Sequence, residues 1–380
     1  MNVKYCGSAK DYSGYGEANR HDIAALVTAG VDVTTQIPVY VPELSDYGKL
    51  GDIAIEREHR KIPYDIKILH VTPNVYRPYI EPLKYHIGRV FWETDKLPKD
   101  FADGVNLIDE VWTGSEFNAD AIRNAGVLKP IHIIPEAIDT DIDVHSYPPY
   151  HIPYTQDYKF YSIFEWTERK NPKALLEAFW REFENTEGVS LTIKTYLDNF
   201  TNTRRREIEK DISLLKTKLG LKRYAPLYLY RRLMDRRQVY RFHKTFDCFV
   251  SAHRGEGWGI PQMEALLLEN PVISTNCGGI HEHLKNGKDA LLLPYDLVKL
   301  SGNNRNTQWY TAEQKWANVD IAELRKAMRF AFENSDEVKK MGINGGKTVR
   351  AKFSLEAVGA IMKQRLEEIE LERQTPQVAL

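Results

Sequence analysis

The sequence predicts an α/β protein of two domains. At 380 residues the chain is long enough for two domains or one large one, at roughly 150 residues per domain. Short apolar runs alternate with segments of helical periodicity from the N-terminus onward. That alternation breaks at a stretch rich in proline and tyrosine, residues 145–158, and then restarts, which favours two domains.

In chain order, Val3–Cys6 reads as a strand, followed by a loop punctuated by Gly7, Gly14 and Gly16. Ile23, Leu26 and Val27 recur at helical spacing, and Gly30 is a natural stop. Val31–Thr35 is a strand, as are Ile66–Val71, Arg89–Trp92, Glu110–Thr113 and Ile131–Ile134. A helix carrying Phe117, Ala121 and Ile122 lies between the last two and ends at Gly126. Such short apolar strands suit a parallel sheet covered on both faces. Residues 145–158 read as a linker or as a surface loop of the first domain. Beyond them Phe160–Phe164, Leu191–Thr195, Phe246–Val250 and Pro271–Thr275 read as strands. Pro172–Phe183, Thr203–Leu219, much of Leu227–Phe242, a stretch from Pro261, Ala322–Glu333 and Leu355–Leu371 read as helices. Residues 301–311 are a polar loop, and 373–380 a frayed end.

Composition narrows the function. Lys plus Arg is 52 against 53 Asp plus Glu, a net charge of −1, which disfavours a globally basic nucleic-acid coat. Three cysteines, Cys6, Cys248 and Cys277, cannot form a disulfide framework and fit a reducing compartment. The N-terminal stretch lacks the apolar core of a signal peptide, and no apolar run approaches a membrane span. The expected location is cytoplasmic, with peripheral membrane contact left open.

The densest chemical signal is Ser251-Ala-His-Arg-Gly-Glu-Gly-Trp-Gly-Ile-Pro-Gln-Met-Glu264. A strand feeds a loop with Gly255, Gly257 and Gly259, and Pro261 opens a helix. Glycines let the backbone approach a ligand closely, and the amides at a helix start attract phosphate. Glu264 is expected in the first helical turn, where its carboxylate is favoured or accepts hydrogen bonds from a ribose. Glu256, in the loop, is placed to face a reacting group.

Glu256 and Glu264 enclose seven residues, and this arrangement resembles the family-4 retaining glycosyltransferases of the GT-B fold. The resemblance continues through Pro271-Val-Ile-Ser-Thr-Asn-Cys-Gly-Gly-Ile-His-Glu282, back through Glu165-Trp-Thr-Glu-Arg-Lys-Asn-Pro-Lys173, and through Phe91–Asp95, Glu110–Asn118 and Ile134–Asp139. It implies a GT-B architecture with two facing Rossmann-like domains: residues 1–149, completed by the returning helix 355–371, on the acceptor side, and 150–354 binding the nucleotide sugar. It implies that Glu256 lies near the sugar, Glu264 binds the ribose and Lys170 neutralises the diphosphate. Arg169 either assists or faces solvent. Gly257, Trp258 and Gly259 would supply backbone contacts, and Gly278 and Gly279 another close turn. His70, at the end of a first-domain strand, would orient acceptor or donor, or is merely structural. Asp95, Gly14, Gly16 and Glu17 are the acceptor-side candidates. Phe164 stands where many members carry an arginine, for which Arg169 or Arg254 would compensate, and Asn171 replaces the usual glycine after the lysine.

The implied reaction is transfer of a sugar from a nucleotide sugar to a hydroxyl acceptor with retention, without a metal or other cofactor. A nucleotide-sugar epimerase and a noncatalytic carbohydrate- or nucleotide-binding protein on the same scaffold are the alternatives. Donor base, sugar, acceptor and oligomeric state have no signature in the sequence.

Several motifs are discounted. Asp139-Thr-Asp141-Ile-Asp143 has the spacing of a metal-binding sugar-transferase motif but the wrong context. Gly342–Thr348 resembles a phosphate loop but has Met341 where the pattern needs glycine, and is expected to break a helix. Cys277, His281 and His283 lack a second ligand cluster for zinc. There is no dinucleotide glycine signature. Residues 204–244 carry 14 Lys or Arg against four Asp or Glu. This bias is expected to serve an anionic acceptor (a glycan, a lipid-linked sugar at a membrane or, less favoured, nucleic acid) or to be a solvated helical face. Arg231, Arg232, Arg236 and Arg237 are its test positions, expected to leave donor binding alone.

Overall fold

The computed structural model describes residues 1–38, 46–144, 146–152, 156–300 and 308–374. Parts of the expected linker (145 and 153–155), of the polar loop (301–307) and of the frayed end (375–380) lie outside the described residues. The chain divides into two compact units. One comprises the described residues of Met1–Trp92, Lys96–Ile142 and Arg350–Leu380, the other those of Glu93–Asp95 and Asp143–Val349.

The first unit contains β1 (Asn2–Gly7), α1 (Gly14–Thr28), β2 (Asp32–Gln36), α2 (Gly48–Ile55), β3 (Ile66–His70), β4 (Tyr85–Arg89), α3 (Lys99–Val105), β5 (Glu110–Thr113), α4 (Glu116–Arg123) and β6 (Ile131–Ile133). Its sheet is parallel throughout, in the order β2-β1-β3-β4-β5-β6. Gly14 and Gly16, expected in a loop, lie in the first turn of α1. Ser13 caps that helix by accepting from the Gly16 amide, and a Cβ on Gly16 would stand 2.3 Å from the Asp11 carbonyl oxygen. The strand expected at Arg89–Trp92 is shifted: β4 ends at Arg89.

The second unit contains β7 (Tyr158–Glu165), α5 (Pro172–Glu182), β8 (Val189–Tyr196), α6 (Asn202–Leu219), β9 (Leu227–Tyr230), α7 (Arg236–Thr245), β10 (Cys248–Ser251), α8 (Ile260–Leu267), β11 (Val272–Thr275), β12 (Leu291–Leu293), the antiparallel pair β13 (Tyr295–Lys299) and β14 (Lys315–Val319), and α9 (Ile321–Glu333). Its main sheet, again all parallel, runs β12-β11-β10-β7-β8-β9. Read from β9, this is the 3-2-1-4-5-6 order of doubly wound folds. The aromatic core beneath α5 and α9 gathers Phe160, Phe179, Phe183, Leu191 and Ile193.

Two expectations fail here. Leu227–Phe242 is not one helix: Leu-Tyr-Leu-Tyr pairs with β8 as an edge strand, and α7 starts only at Arg236, where Asp235 and Gln238 form a capping box. Gly342–Thr348 does not break a helix but lies within α10 (Ser335–Lys352). Gly342, Gly345 and Gly346 face the end of α8 so closely that a Cβ at each would stand 2.6 Å from Asn270 or Leu266. Burial against that surface outweighs glycine's poor helix propensity. α11 (Leu355–Gln374) packs on α1, where Gly359 abuts the Ala25 carbonyl, and Val358, Met362, Leu366 and Ile369 enter the first unit's core.

Candidate active site

In an open parallel sheet, ligands bind at the carboxyl ends of the strands where the strand order reverses. In the second unit that point lies between β7 and β10, and the loops following these two strands carry Lys170 and Glu256. The loop after β10 is held by close backbone packing. A Cβ on Gly255 would stand 1.9 Å from the Glu93 carbonyl oxygen, on Gly278 2.2 Å from that of Glu256, and on Gly279 2.1 Å from that of Gly257. The Gly279 amide donates to the Glu256 carbonyl at 3.0 Å. Gly259, at φ 94°, is the N-cap of α8 and supplies no side-chain hydrogen bond to its first amides. Trp258 is buried against His283, with ring centres 5.1 Å apart.

Glu256 is only 6% exposed. Lys170 Nζ donates to it at 2.5 Å, and Arg169 lies 3.5 Å away. Arg169 also donates to the Gly255 carbonyl at 3.0 Å and pairs with Glu93 at 3.6 Å. Burial would raise the Glu256 pKa, but Lys170, His253 and Arg169 lower it to about 2, so it is an anion. Asn171 holds a left-handed conformation, φ 53°, at the start of α5, which explains how it replaces glycine. Phe164 is buried beside Trp166, so the cation of that position is absent, and Arg169 stands in the cluster instead. Arg254 does not join it. Its side chain donates to Asn318 of β14 at 2.8 Å and lies over Trp316.

Glu264 lies just beyond the first turn of α8, because the helix begins at Ile260 rather than Pro261. It is 3% exposed and paired with Arg236 of α7, and His243 Nε2 stands 3.4 Å from its other oxygen. Burial opposes its charge, yet Arg236 and His243 bring its pKa to about 2. His243 is fixed by Tyr161, 2.7 Å from Nδ1, and its carbonyl by Asn270. Burial lowers its own pKa, keeping the ring neutral near pH 7. Sequence reading places Arg236 in a basic surface group and does not single out His243; their roles beside Glu264 were missed because α7 was merged with β9. The Asp235–Gln238 capping box was the available signal. Arg236 therefore does not act with Arg231, Arg232 and Arg237 as one surface group. Arg231 pairs with Glu209, whereas Arg232 and Arg237 are exposed.

The first unit holds its own buried network. Asp22 accepts from Arg89 Nε at 2.8 Å and from Tyr5 at 3.1 Å. Arg89 also donates to the Ile134 and Pro135 carbonyls. Burial opposes the Asp22 charge, but Arg89 and His70 lower its pKa to about 2. His70 is fully buried, with Tyr5 Oη 2.6 Å from Nδ1 and no partner for Nε2 among the described residues. Burial lowers its pKa. Glu17 pairs with Arg20, which braces the Ala9 and Asp11 carbonyls. Gly14 has open space around it. Asp95 groups with the second unit and accepts from the Lys315 amide at 2.6 Å. Among the described residues no group of three or more His, Cys, Asp or Glu is placed to hold a metal ion. No described helix is long and apolar enough to cross a membrane.

The two parallel-sheet domains define the GT-B fold, which solved structures share. Residues 150–299 match the family model described as Glycosyl transferases group 1. Sucrose-phosphate synthase from Thermosynechococcus elongatus superposes with a TM-score of 0.71 at 15% identity, covering 98% of this chain and 100% of that one. HepE of Anabaena, in complex with UDP-glucose, gives 0.66 at 12% identity, covering 97% and 100%. A glycosyltransferase from Rickettsia africae gives 0.64 at 14% identity, covering 99% of each chain. No curated protein sequence matches the chain.

Proposed function

We propose that this protein is a retaining glycosyltransferase of the family-4 type, which moves a sugar from a nucleotide sugar to a hydroxyl acceptor without a divalent metal. The observation that carries this reading is the pair of buried carboxylates, Glu256 in the glycine loop after β10 and Glu264 in α8, each met by cations from elsewhere in the unit: Glu256 with Lys170 and Arg169, Glu264 with Arg236. In this reading Glu264 accepts hydrogen bonds from the ribose hydroxyls. The diphosphate lies against the uncapped start of α8, and Lys170 turns from Glu256 to the leaving phosphate. The bond from the anomeric carbon to the diphosphate oxygen breaks as charge grows on that oxygen. Once Lys170 has turned to the phosphate on donor binding, it and the α8 amides stabilise that charge. The acceptor oxygen bonds to the same face, and its proton passes to the departing phosphate. Glu256 holds the sugar, and His70, whose Nε2 has no partner among the described residues, is the first unit's candidate for orienting an acceptor hydroxyl. The HepE complex with UDP-glucose supports a nucleotide-sugar donor.

The test is a donor screen in chelator-treated, metal-free buffer against a panel of hydroxyl acceptors, with mass spectrometry and anomeric NMR of the product. The expected result is a new glycoside with the donor's anomeric configuration. An isomerised nucleotide sugar with no transfer, an inverted product or activity restored only by Mg²⁺ or Mn²⁺ would reject the corresponding part of the reading.

A further inference from the structure

Lys194 is a nearly buried cation with no partner among the described residues. It lies in β8, in register with Ile163 of β7 and Tyr230 of β9, so these three side chains share one face of the sheet. Leu191 and Ile193 point to the opposite face, into the core beneath α5 and α9. Lys194 thus lies on the face that carries α7, where Tyr230 meets Phe242 and Tyr161 meets His243. Only 9% of the residue is exposed, and its ammonium makes no hydrogen bond or ion pair with any described residue. The charges that act on it are Glu264 and Arg236, which pair with each other. Burial, opposed by Glu264 and aided by Arg236, brings the Lys194 pKa to about 8. The ammonium reaches the surface while its stem is buried, so it is placed to meet a ligand entering from that side.

The order of groups in a nucleotide says which part of it that is. Base, ribose and phosphate follow in line. With the ribose on Glu264 and the phosphates at Lys170 and the α8 start, the base lies beyond Glu264, away from Lys170. Glu264 meets His243 of α7, which rests on Tyr161 of the sheet face that also carries Lys194. We propose that Lys194 donates a hydrogen bond to a carbonyl oxygen of the nucleobase and so selects a keto base such as uracil over adenine, which has no carbonyl. This assignment rests on the donor-site reading above.

Titration calorimetry of UDP and ADP with the intact protein and with Lys194→Met tests it. Methionine keeps the length and apolar stem but not the charge. Wild type is expected to bind UDP more tightly than ADP. The variant should lose about tenfold or more in UDP affinity and under about threefold in ADP affinity, the size of a hydrogen bond to a charged group. Because the substitution removes an unpartnered charge, the ligand-free melting temperature should not fall. Equal losses for UDP and ADP would assign Lys194 to ribose or phosphate and overturn the proposal, as would unchanged UDP binding, a preference for ADP in the wild type, or a lowered melting temperature. A wild-type protein that binds neither nucleotide would instead overturn the donor-site reading, and this proposal with it.

Discussion

Asp22 in the first unit and Glu256 in the second are buried carboxylates with almost the same electrostatics. Each is opposed by desolvation, each faces a cation, and each is brought to a pKa of about 2. The difference lies in what the cation does with its remaining donors. Arg89 spends them on the Ile134 and Pro135 carbonyls, so its fork is filled by the fold itself. Lys170 has three N–H donors, and Glu256 is its one side-chain acceptor among the described residues. The first pair is closed and the second has capacity for a ligand. A shifted pKa marks both, so it is the spare donor that separates a site from a strut.

The strongest way to break this comparison is through stability. Arg89→Met leaves Asp22 buried and uncompensated, which should cost about 3–5 kcal/mol in urea unfolding. Lys170→Met leaves Arg169 beside Glu256 and should cost clearly less. Comparable losses in the two variants would make both pairs structural. Turnover comes next. Lys170→Met should lower kcat with the best donor roughly a hundredfold or more, as loss of a charge-stabilising group does, while its circular dichroism spectrum stays native. Wild-type kcat would remove Lys170 from the leaving-group site.

The smallest effect is in acid, where the two regions should behave alike. A carboxylate whose folded pKa lies below its unfolded value adds stability that is present above the unfolded pKa and is lost as pH falls through the folded one. For Asp22 that window runs from 3.8 down to about 2, and for Glu256 from 4.5 to about 2. At about 1.4 kcal/mol per pH unit, Asp22 should contribute roughly 2 kcal/mol and Glu256 roughly 3 kcal/mol. Asp22→Asn and Glu256→Gln should therefore each flatten the decline in unfolding free energy between pH 6 and pH 3. A decline as steep as that of the wild type in either variant would show that its carboxylate is not held low.

Much of this was legible in the sequence, for identifiable reasons. The glycine spacing from Gly255 to Gly259 and the Pro261 helix start are local signals, and they located Glu256 and Glu264. The partners of Glu264 were not legible as such, because Arg236 and His243 come from α7 and meet it only through the fold. The two misread elements failed for opposite reasons. At Leu227–Tyr230 strand pairing overrode an apparent helical rhythm, and at Gly342–Thr348 burial overrode the usual meaning of glycine. Glu17 and Asp95 had the right chemistry for a site but are taken up by Arg20 and by the backbone of Lys315.

The glycine seam of α10 reaches further than its own packing. Gly346 lies against the carbonyl of Leu266, the seventh residue of α8, and Gly342 against Asn270 just past its end. The opposite end of that short helix presents the amides assigned here to the diphosphate. α10 is thus a backstop that fixes how far α8 can slide along its axis. A methyl group added to this seam, well away from any substrate atom, would push the helix lengthwise and move its amides off register. Displacements of about 1 Å are enough to degrade catalysis, so the alignment of the reaction is set in part by three missing side chains behind the helix.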